Sequence, residues 1–366
     1  MAERMGFGSA VRGSRSRAPH AAAAPDSGSG AAPGDELLAV RGLEIEFGAD
    51  RGSGHQAVRG IDIALRPGRV VGVAGESGSG KSSLALAVMG LLPPGTVVRG
   101  SIRYDGDELV GLAEKQLRRY RGSKIAMVSQ ESTAALNPTL RIGQQMRLVL
   151  RAHFSADRGQ LAQRMVQALR DVQLHDVDRV LHSYPSELSG GMCQRVVIAM
   201  ALACGSQVLL ADEPTTALDV TVQGEIIRLL RGLVAQRGLA LLMISHDLAV
   251  LNEICDDLVV MYRGEVVERG PITEVLRAPA HPYTRGLLNS VPRMSNRGTD
   301  LPTLPMFDSA EAPGTGCRFA GRCAWRVDAC AERQVLLPVP AGAVDPARAA
   351  RCHRVDELTE QPEGLR

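Results

Sequence analysis

Neither sign of charge dominates this chain of 366 residues: 42 Lys and Arg face 40 Asp and Glu, for a formal net charge of +2. Without a basic excess there is no long-range attraction to a phosphate backbone or an anionic lipid surface, and nucleic acid is not an expected partner. Long apolar runs are missing as well. No stretch nears the roughly 18 to 20 uninterrupted apolar residues that a membrane helix needs. The best segments, around Val208 to Ala211 and Leu239 to Ile244, have the length of buried strands. The N-terminal segment, rich in Ala, Gly, Ser, Pro and Arg, lacks the apolar core and cleavage site of a secretory signal. Residues 1–36 therefore read as a disordered tail. Internal repeats and sustained heptads are also lacking. What remains is an ordinary globular composition, 45% hydrophobic and 22% charged, in a length that allows about two or three domains.

Seven cysteines are present, and four of them (Cys317, Cys323, Cys330 and Cys352) fall within the last fifty residues. An odd total without a secretion signal argues for a reducing compartment, where clustered cysteines hold metal more often than they form disulfides.

The pattern along the chain is that of an α/β protein. Leu37 to Phe47 alternates like a strand, a Gly-rich turn covers Ala49 to Gly54, and Ala57 to Leu65 reads as the hairpin partner. Arg69 to Ala74 is a short apolar run followed by a Gly/Ser loop and a helical pattern from Ser82 to Leu92. From about Thr139 the chain reads as helices with Arg/Gln faces, predicting an inserted helical subdomain over about 139–200. Strand patterns return at Gln207 to Leu210 and Ala240 to Ile244 around an amphipathic helix from about Val222 to Gln236, the βαβ rhythm of a parallel sheet. A β segment at Asp257 to Val267 closes a domain spanning about 37–270. Residues 271–366, rich in Pro, Arg and Cys with little periodicity, read as a separate, small and irregular extension.

Gly75-Glu-Ser-Gly78-Ser-Gly80-Lys81-Ser82 fits the pattern G-x-x-x-x-G-K-S/T between a strand and a helix. Glycines are needed because backbone N–H groups must closely approach phosphates through conformations that a Cβ forbids. Lys81 would neutralise the β and γ phosphates, and Ser82 would bind Mg²⁺ through its hydroxyl, with Ser83 beside it on the same nucleotide site. At the end of an apolar strand, Asp212 supplies a second Mg²⁺ anchor and Glu213 a general base for the attacking water. Ser189-Gly190-Gly191 at a helix start exposes N–H groups suited to an anion.

Taken together, these motifs resemble the nucleotide-binding subunit of an ATP-binding cassette (ABC) transporter, a P-loop NTPase, over about Leu37 to Val267. The phosphate loop, Gln130, Leu188-Ser189-Gly190-Gly191, Asp212-Glu213, Ala217-Leu218-Asp219 and His246 occur in the family's order. The resemblance implies two cassettes that sandwich ATP head to tail, with Ser189 to Gly191 of one contacting the γ-phosphate held by Lys81 of the other. It also implies that Gln130 senses Mg²⁺ and touches the membrane partner, that Asp219 crosses the dimer interface, and that His246 hydrogen-bonds the γ-phosphate. Met192 stands where the family most often has Gln, although the peptide-importer branch commonly has Met. Phe47 is the matching aromatic for stacking on adenine, with a core role as its alternative.

His281-Pro-Tyr283-Thr284, Gly316-Cys317-Arg-Phe319-Ala-Gly-Arg322-Cys323 and Leu136-Asn137-Pro138 look like the oligopeptide and dipeptide importer ATP-binding subunits. Members work with two membrane permeases, an external substrate-binding protein and a second ATPase subunit, either a paralogue or another copy. The resemblance thus implies a peripheral subunit on the cytoplasmic face of the membrane that powers uptake of peptides. Other readings are import of another small solute, such as a nickel chelate or a glutathione-like peptide, and a soluble cassette ATPase outside transport.

Five, six and twenty-one residues separate Cys317, Cys323, Cys330 and Cys352 in turn. This lacks the paired C-x₂-C knuckles usual for structural zinc, while four thiolates are an ordinary ligand set for a [4Fe–4S] cluster. Some dipeptide-importer subunits carry such a cluster in this extension, and the expectation is one here; zinc with His353 as a ligand, or four free thiols, are the alternatives. Being far from the phosphate loop in sequence, the cluster is expected to have a structural or redox-sensing role and no part in hydrolysis.

Overall fold

Three runs, Val70–Ala74, Val208–Asp212 and Ala240–Ile244, are buried at every residue. Strands of this kind need cover on both faces, and alternate side chains of each run go to opposite faces. Val70, Leu209 and Leu241 belong to one apolar core, whereas Val71, Leu210 and Leu242 belong to a second on the other side.

The computed structural model describes residues 35–48, 54–130, 134–216, 218–290, 316–339 and 348–359. Within them the strands are β1 (Leu38–Phe47), β2 (His55–Leu65), β3 (Val70–Ala74), β4 (Val97–Tyr104), β5 (Asp107–Glu108) and β6 (Ile125–Val128). They continue with β7 (Val208–Asp212), β8 (Ala240–Ile244), β9 (Asp257–Tyr262), β10 (Glu265–Pro271), β11 (Leu337–Pro338) and β12 (Ala349–Ala350). The α-helices begin with α1 (Lys81–Val88), α2 (Glu114–Leu117), α3 (Ile142–His153), α4 (Arg158–Asp171), α5 (Val177–His182) and α6 (Gly190–Leu202). They end with α7 (Val220–Arg237), α8 (Leu248–Ile254), α9 (Ile272–Arg277), α10 (Pro282–Asn289) and α11 (Val355–Thr359).

A four-stranded antiparallel sheet, β2-β1-β4-β5, forms the β-rich N-terminal layer over the second core. The main sheet runs β11-β12-β10-β9-β3-β8-β7-β6, with β9, β3, β8, β7 and β6 parallel to one another and β10 antiparallel to β9. Helices α3 to α6 pack on its first core through Ile142, Met146, Leu161, Leu169, Val196 and Ile198, making the inserted helical layer that the Arg/Gln-faced segment predicts.

Two features differ from the sequence reading. Glu36, which the sequence reading puts at the end of the tail, pairs with both Arg41 and Arg66; residues 1–34 and the turn at 49–53 lie outside the described residues. The extension is also not a detached appendage. β12 pairs with β10 and lengthens the main sheet, and Ile272, Val275, Tyr283 and Phe319 enter the first core. Short segments with few apolar residues each hide this, since periodicity cannot register a two-residue strand.

Candidate functional site

Register across the parallel strands dictates where the chemistry collects. Val73 of β3 pairs with Ile244 of β8, Ile244 with Asp212 of β7, and Ala211 with Val128 of β6. Four adjacent strands therefore end on one edge of the sheet. The residues following or closing them are Gly75, Gln130, Asp212 with Glu213, and His246. This is the edge at which open α/β sheets bind ligands.

Beyond β3 the loop to α1 needs glycine at two tight points. A Cβ on Gly75 would stand 2.3 Å from Met261 O, and one on Gly80, whose φ is +100°, would stand 2.5 Å from Ala57 O. Lys81 is buried, and its Nζ donates to Gly75 O at 2.8 Å and Glu76 O at 2.9 Å, spanning the loop from its far end. Burial draws the Lys81 ammonium below its ordinary pKa, opposed by the charges of Glu213, Asp212 and Glu76. Asp212 is shifted upward by its own burial and by Glu213, against the hydrogen bond from Ser82 and the charge of Lys81. One buried cation, one buried carboxylate and a hydroxyl are thus joined at the start of α1, with Ser83 next in the same helical turn.

Glu213 takes a left-handed backbone conformation (φ +49°) directly after β7. Its carboxylate accepts from Thr216 Oγ1 at 2.9 Å and lies 3.1 Å from His246 Nδ1. Its backbone N–H is held by Ile244 O at 2.9 Å. Two strand ends thereby fix one carboxylate and one imidazole against each other. Gln130 is exposed after β6 and is aligned with this edge only by its strand.

Ser189, Gly190 and Gly191 lie elsewhere, at the head of α6. Ser189 caps that helix by accepting from Met192 N–H, and a Cβ on Gly191 would meet Val222 at 2.6 Å. Asp219 caps α7 by accepting from Val222 N–H at 2.9 Å. The two caps share one surface, and Val220 beside them is 85% exposed. Phe47 is half-buried against the second core and pairs across the hairpin with His55. His55 in turn lines a cavity of about 450 Å³ beside Ser77, Gly78 and Ser79 of the phosphate loop.

What the sequence reading missed is the side of the loop facing the extension. Arg322 Nη1 and Nη2 donate to Glu76 Oε2 and Oε1 at 2.9 and 3.0 Å, and Glu76 N–H donates to Tyr283 Oη at 2.8 Å. Glu76 occupies a position that the loop pattern leaves open to any residue, so no motif signals it. Arg322, next to Cys323 in the chain, thus ties the cysteine-bearing segment to the phosphate loop.

Cys317, Cys323, Cys330 and Cys352 line one pocket with His281, Phe319 and Trp325. Val327 N–H donates to Cys330 Sγ at 3.5 Å, and the backbone amides of Phe319, Trp325 and Arg354 work to lower the thiol pKa values of Cys317, Cys323 and Cys352. Burial pushes the Cys317 thiol up to about 12 and Cys323 to about 11, and raises Cys352. Among the described residues no group of three or more His, Cys, Asp or Glu side chains is placed to hold a metal ion. Neither the expected [4Fe–4S] ligand set nor the zinc alternative with His353 is therefore assembled as a metal-holding group there.

Comparison with known proteins agrees with this geometry. Residues 58–216 match the ABC transporter model, and residues 267–330 match the oligopeptide/dipeptide transporter C-terminal region. A probable peptide ABC transporter ATP-binding protein of Sinorhizobium fredii, y4tR, is 41% identical over 328 residues, covering 88% of this chain and 96% of its own. This chain belongs to the ATP-binding subunits of the ABC transporter family. A probable D,D-dipeptide transport ATP-binding protein of Escherichia coli, DdpD, is 43% identical over 78% of this chain and 88% of that one. Among solved structures, the dimeric bacterial ABC transporter cassette MJ0796 matches with a TM-score of 0.57 and 26% identity, over 64% of this chain and 99% of that one. CbiO1 of Clostridium perfringens, part of the cbiONQ transporter complex, matches with a TM-score of 0.58 and 27% identity, over 66% and 90%. As an ABC ATPase this subunit is coupled to membrane permeases and dimerises; no helix among its described residues is long and apolar enough to cross a membrane.

Proposed function

We propose that this ABC ATPase powers binding-protein-dependent uptake of oligopeptides or dipeptides from the cytoplasmic face of a membrane. The observation that carries the reading is the extension itself: its match to the oligopeptide/dipeptide transporter region is packed into the same core and sheet as the nucleotide cassette. Relatives named for peptide transport support the same solute class. Two permeases, a paralogous ATPase subunit or a second copy, and an external binding protein complete the assembly.

The nucleotide chemistry follows from the strand-end edge. The loop amides and Lys81 hold the β and γ phosphates of ATP, with Phe47 against the adenine. Ser82 and Asp212, whose hydroxyl and carboxylate influence each other at the start of α1, would hold Mg²⁺ through oxygen together with Gln130. The metal, when bound, neutralises charge developing on the phosphoryl oxygens. Glu213 orients the attacking water and takes its proton, and His246, held 3.1 Å from it, hydrogen-bonds the γ-phosphate. Ser189, Gly190 and Gly191 close the site on the opposite cassette, across an interface that includes Asp219 and exposed Val220. Rate enhancement is then positioning plus electrostatics.

The cysteine pocket is proposed to hold a [4Fe–4S] cluster. Support comes from four thiols on one cavity with backbone amides that favour their thiolates, an arrangement that stabilises thiolate charge once metal displaces the protons. Anaerobically purified protein should be brown, with about four irons per chain. Colourless protein with stoichiometric zinc, or no metal after reconstitution, refutes this assignment.

Transport is tested by deleting the gene and measuring uptake of labelled di- and oligopeptides against a nickel chelate. Loss of peptide uptake alone is expected; loss of nickel uptake alone overturns the solute class, and loss of neither overturns the importer reading.

A further inference from the structure

Besides the loop's own bond from Ser79 N–H to Glu76 O at 3.2 Å, four hydrogen bonds converge on Glu76, the second residue of the phosphate loop. Tyr283 Oη takes its backbone N–H at 2.8 Å, Lys81 Nζ donates to its carbonyl at 2.9 Å, and Arg322 grips both carboxylate oxygens. Two of these three partners belong to the extension. Arg322 reaches across 246 positions of sequence, and its side chain is only 10% exposed. The Glu76 side chain is 39% exposed, so what fixes orientation as well as distance is the bidentate guanidinium–carboxylate geometry rather than burial of the pair.

The backbone behind Arg322 is equally constrained. Arg322 closes a 3₁₀ turn, Ala320–Arg322, that fills the interval between Cys317 and Cys323. Ala320 N–H donates to Cys317 O at 3.0 Å, Arg322 N–H to Phe319 O at 2.9 Å, and Cys317 N–H to Cys330 O at 2.8 Å. The Phe319 ring sits edge-on to Tyr262 and Tyr283, with centroids 5.3 and 5.5 Å away, and also lines the cysteine pocket. A change in the spacing of Cys317, Cys323 and Cys330 therefore cannot leave Arg322 where it is. Moving Arg322 shifts Glu76, whose carbonyl is one of the two acceptors of the Lys81 ammonium.

We propose that Arg322 is a positioning residue for the phosphate loop, and that through the Arg322–Glu76 pair nucleotide binding is energetically coupled to the state of the cysteine pocket. The inference rests on the phosphate-loop reading but not on the identity of the metal. Coupling of this kind is reciprocal: whatever the cysteine loop does to nucleotide affinity, nucleotide must do to the cysteine loop.

The test uses full-length protein purified anaerobically and Mg-AMP-PNP as the probe. Arg322→Ala is expected to raise the nucleotide dissociation constant about tenfold, within the range typical of intersite coupling, and to raise KM more than it lowers kcat. Glu76→Gln should do the same, the double variant should be no worse than either single one, and Arg322→Lys, with a charge but no fork, should recover part of the loss. In wild type, Mg-AMP-PNP should slow alkylation of the four cysteines by iodoacetamide, read residue by residue in mass spectra, and this slowing should vanish in Arg322→Ala. A folded Arg322→Ala that binds within twofold of wild type, an additive double variant, or nucleotide-dependent slowing that survives the substitution overturns the coupling. If Arg322→Ala does not fold, Arg322→Lys and Glu76→Gln carry the same comparison. Wild type that fails to bind Mg-AMP-PNP overturns the phosphate-loop reading as well, whereas binding with unaffected variants overturns the coupling alone.

Discussion

The strand-end edge and the cysteine-bearing extension are built by opposite means. At the edge, backbone places the chemistry: parallel register aligns four strand ends, and two glycines clear the loop's path. In the extension, short strands and turns are held to the cassette by side chains, chiefly Arg322, Tyr283, Phe319 and buried Glu268. Glu268 accepts the N–H groups of Ala280 and His281 at 2.8 and 2.9 Å and faces Arg348 at 3.6 Å. Backbone-built sites leave spaced motifs in a sequence, whereas side-chain-built ones leave scattered single residues.

Substitutions can break this contrast region by region. At the edge, Lys81→Ala should lower ATP turnover by at least about 100-fold and weaken nucleotide binding, since its charge has no substitute in the buried loop; a phosphate-release assay reads the first and equilibrium binding the second. Glu213→Gln should also lower turnover about 100-fold or more, but with nucleotide retained. In size-exclusion chromatography with Mg-ATP and the proper partner it should run as a stable dimer, and continued turnover without added dimer would remove Glu213 from its role. In the extension, Glu268→Ala leaves two buried N–H groups and Arg348 without their acceptor, a loss of roughly 3 kcal/mol. That change should appear as earlier thermal unfolding and as faster protease cleavage after residue 271, with nucleotide affinity affected less than in Lys81→Ala. The smallest effect sharpens the comparison most: Cys317→Ser should abolish iron binding while leaving the cassette folded, because the core covering β3, β7 and β8 is built from many apolar side chains and Cys317 only packs against it as a partly buried neighbour.

How much could be read beforehand follows the same division. Gly75 to Ser82, Asp212, Glu213 and His246 were legible because each sits where a strand ends, and apolar runs mark strand ends plainly. Their assembly also needed only the ordinary rule for parallel sheets. Asp219 and Ser189 were legible as motif members, and the structure adds that both are helix caps. Glu76 and Arg322 were illegible: one is a free position in its motif, the other an arginine among 42 basic residues, and only folding joins them. β11 and β12 were missed because strands of two residues carry no alternation, and β5 and α2 because Gly-rich turns break the pattern on either side.

The pairing of β12 with β10 has a consequence for how the protein is made. Glu268 and Arg269 lie opposite Ala350 and Ala349, and Arg351 N–H donates to Val267 O at 2.7 Å. Until that last short strand leaves the ribosome, β10 is a bare sheet edge with free donors and acceptors, the kind of surface that recruits strands from other chains. A nascent chain halted before residue 349 would thus expose its adhesive border although every nucleotide motif had already been synthesised. Aggregation of such truncated chains, rather than their inactivity, is the hazard that the late strand removes.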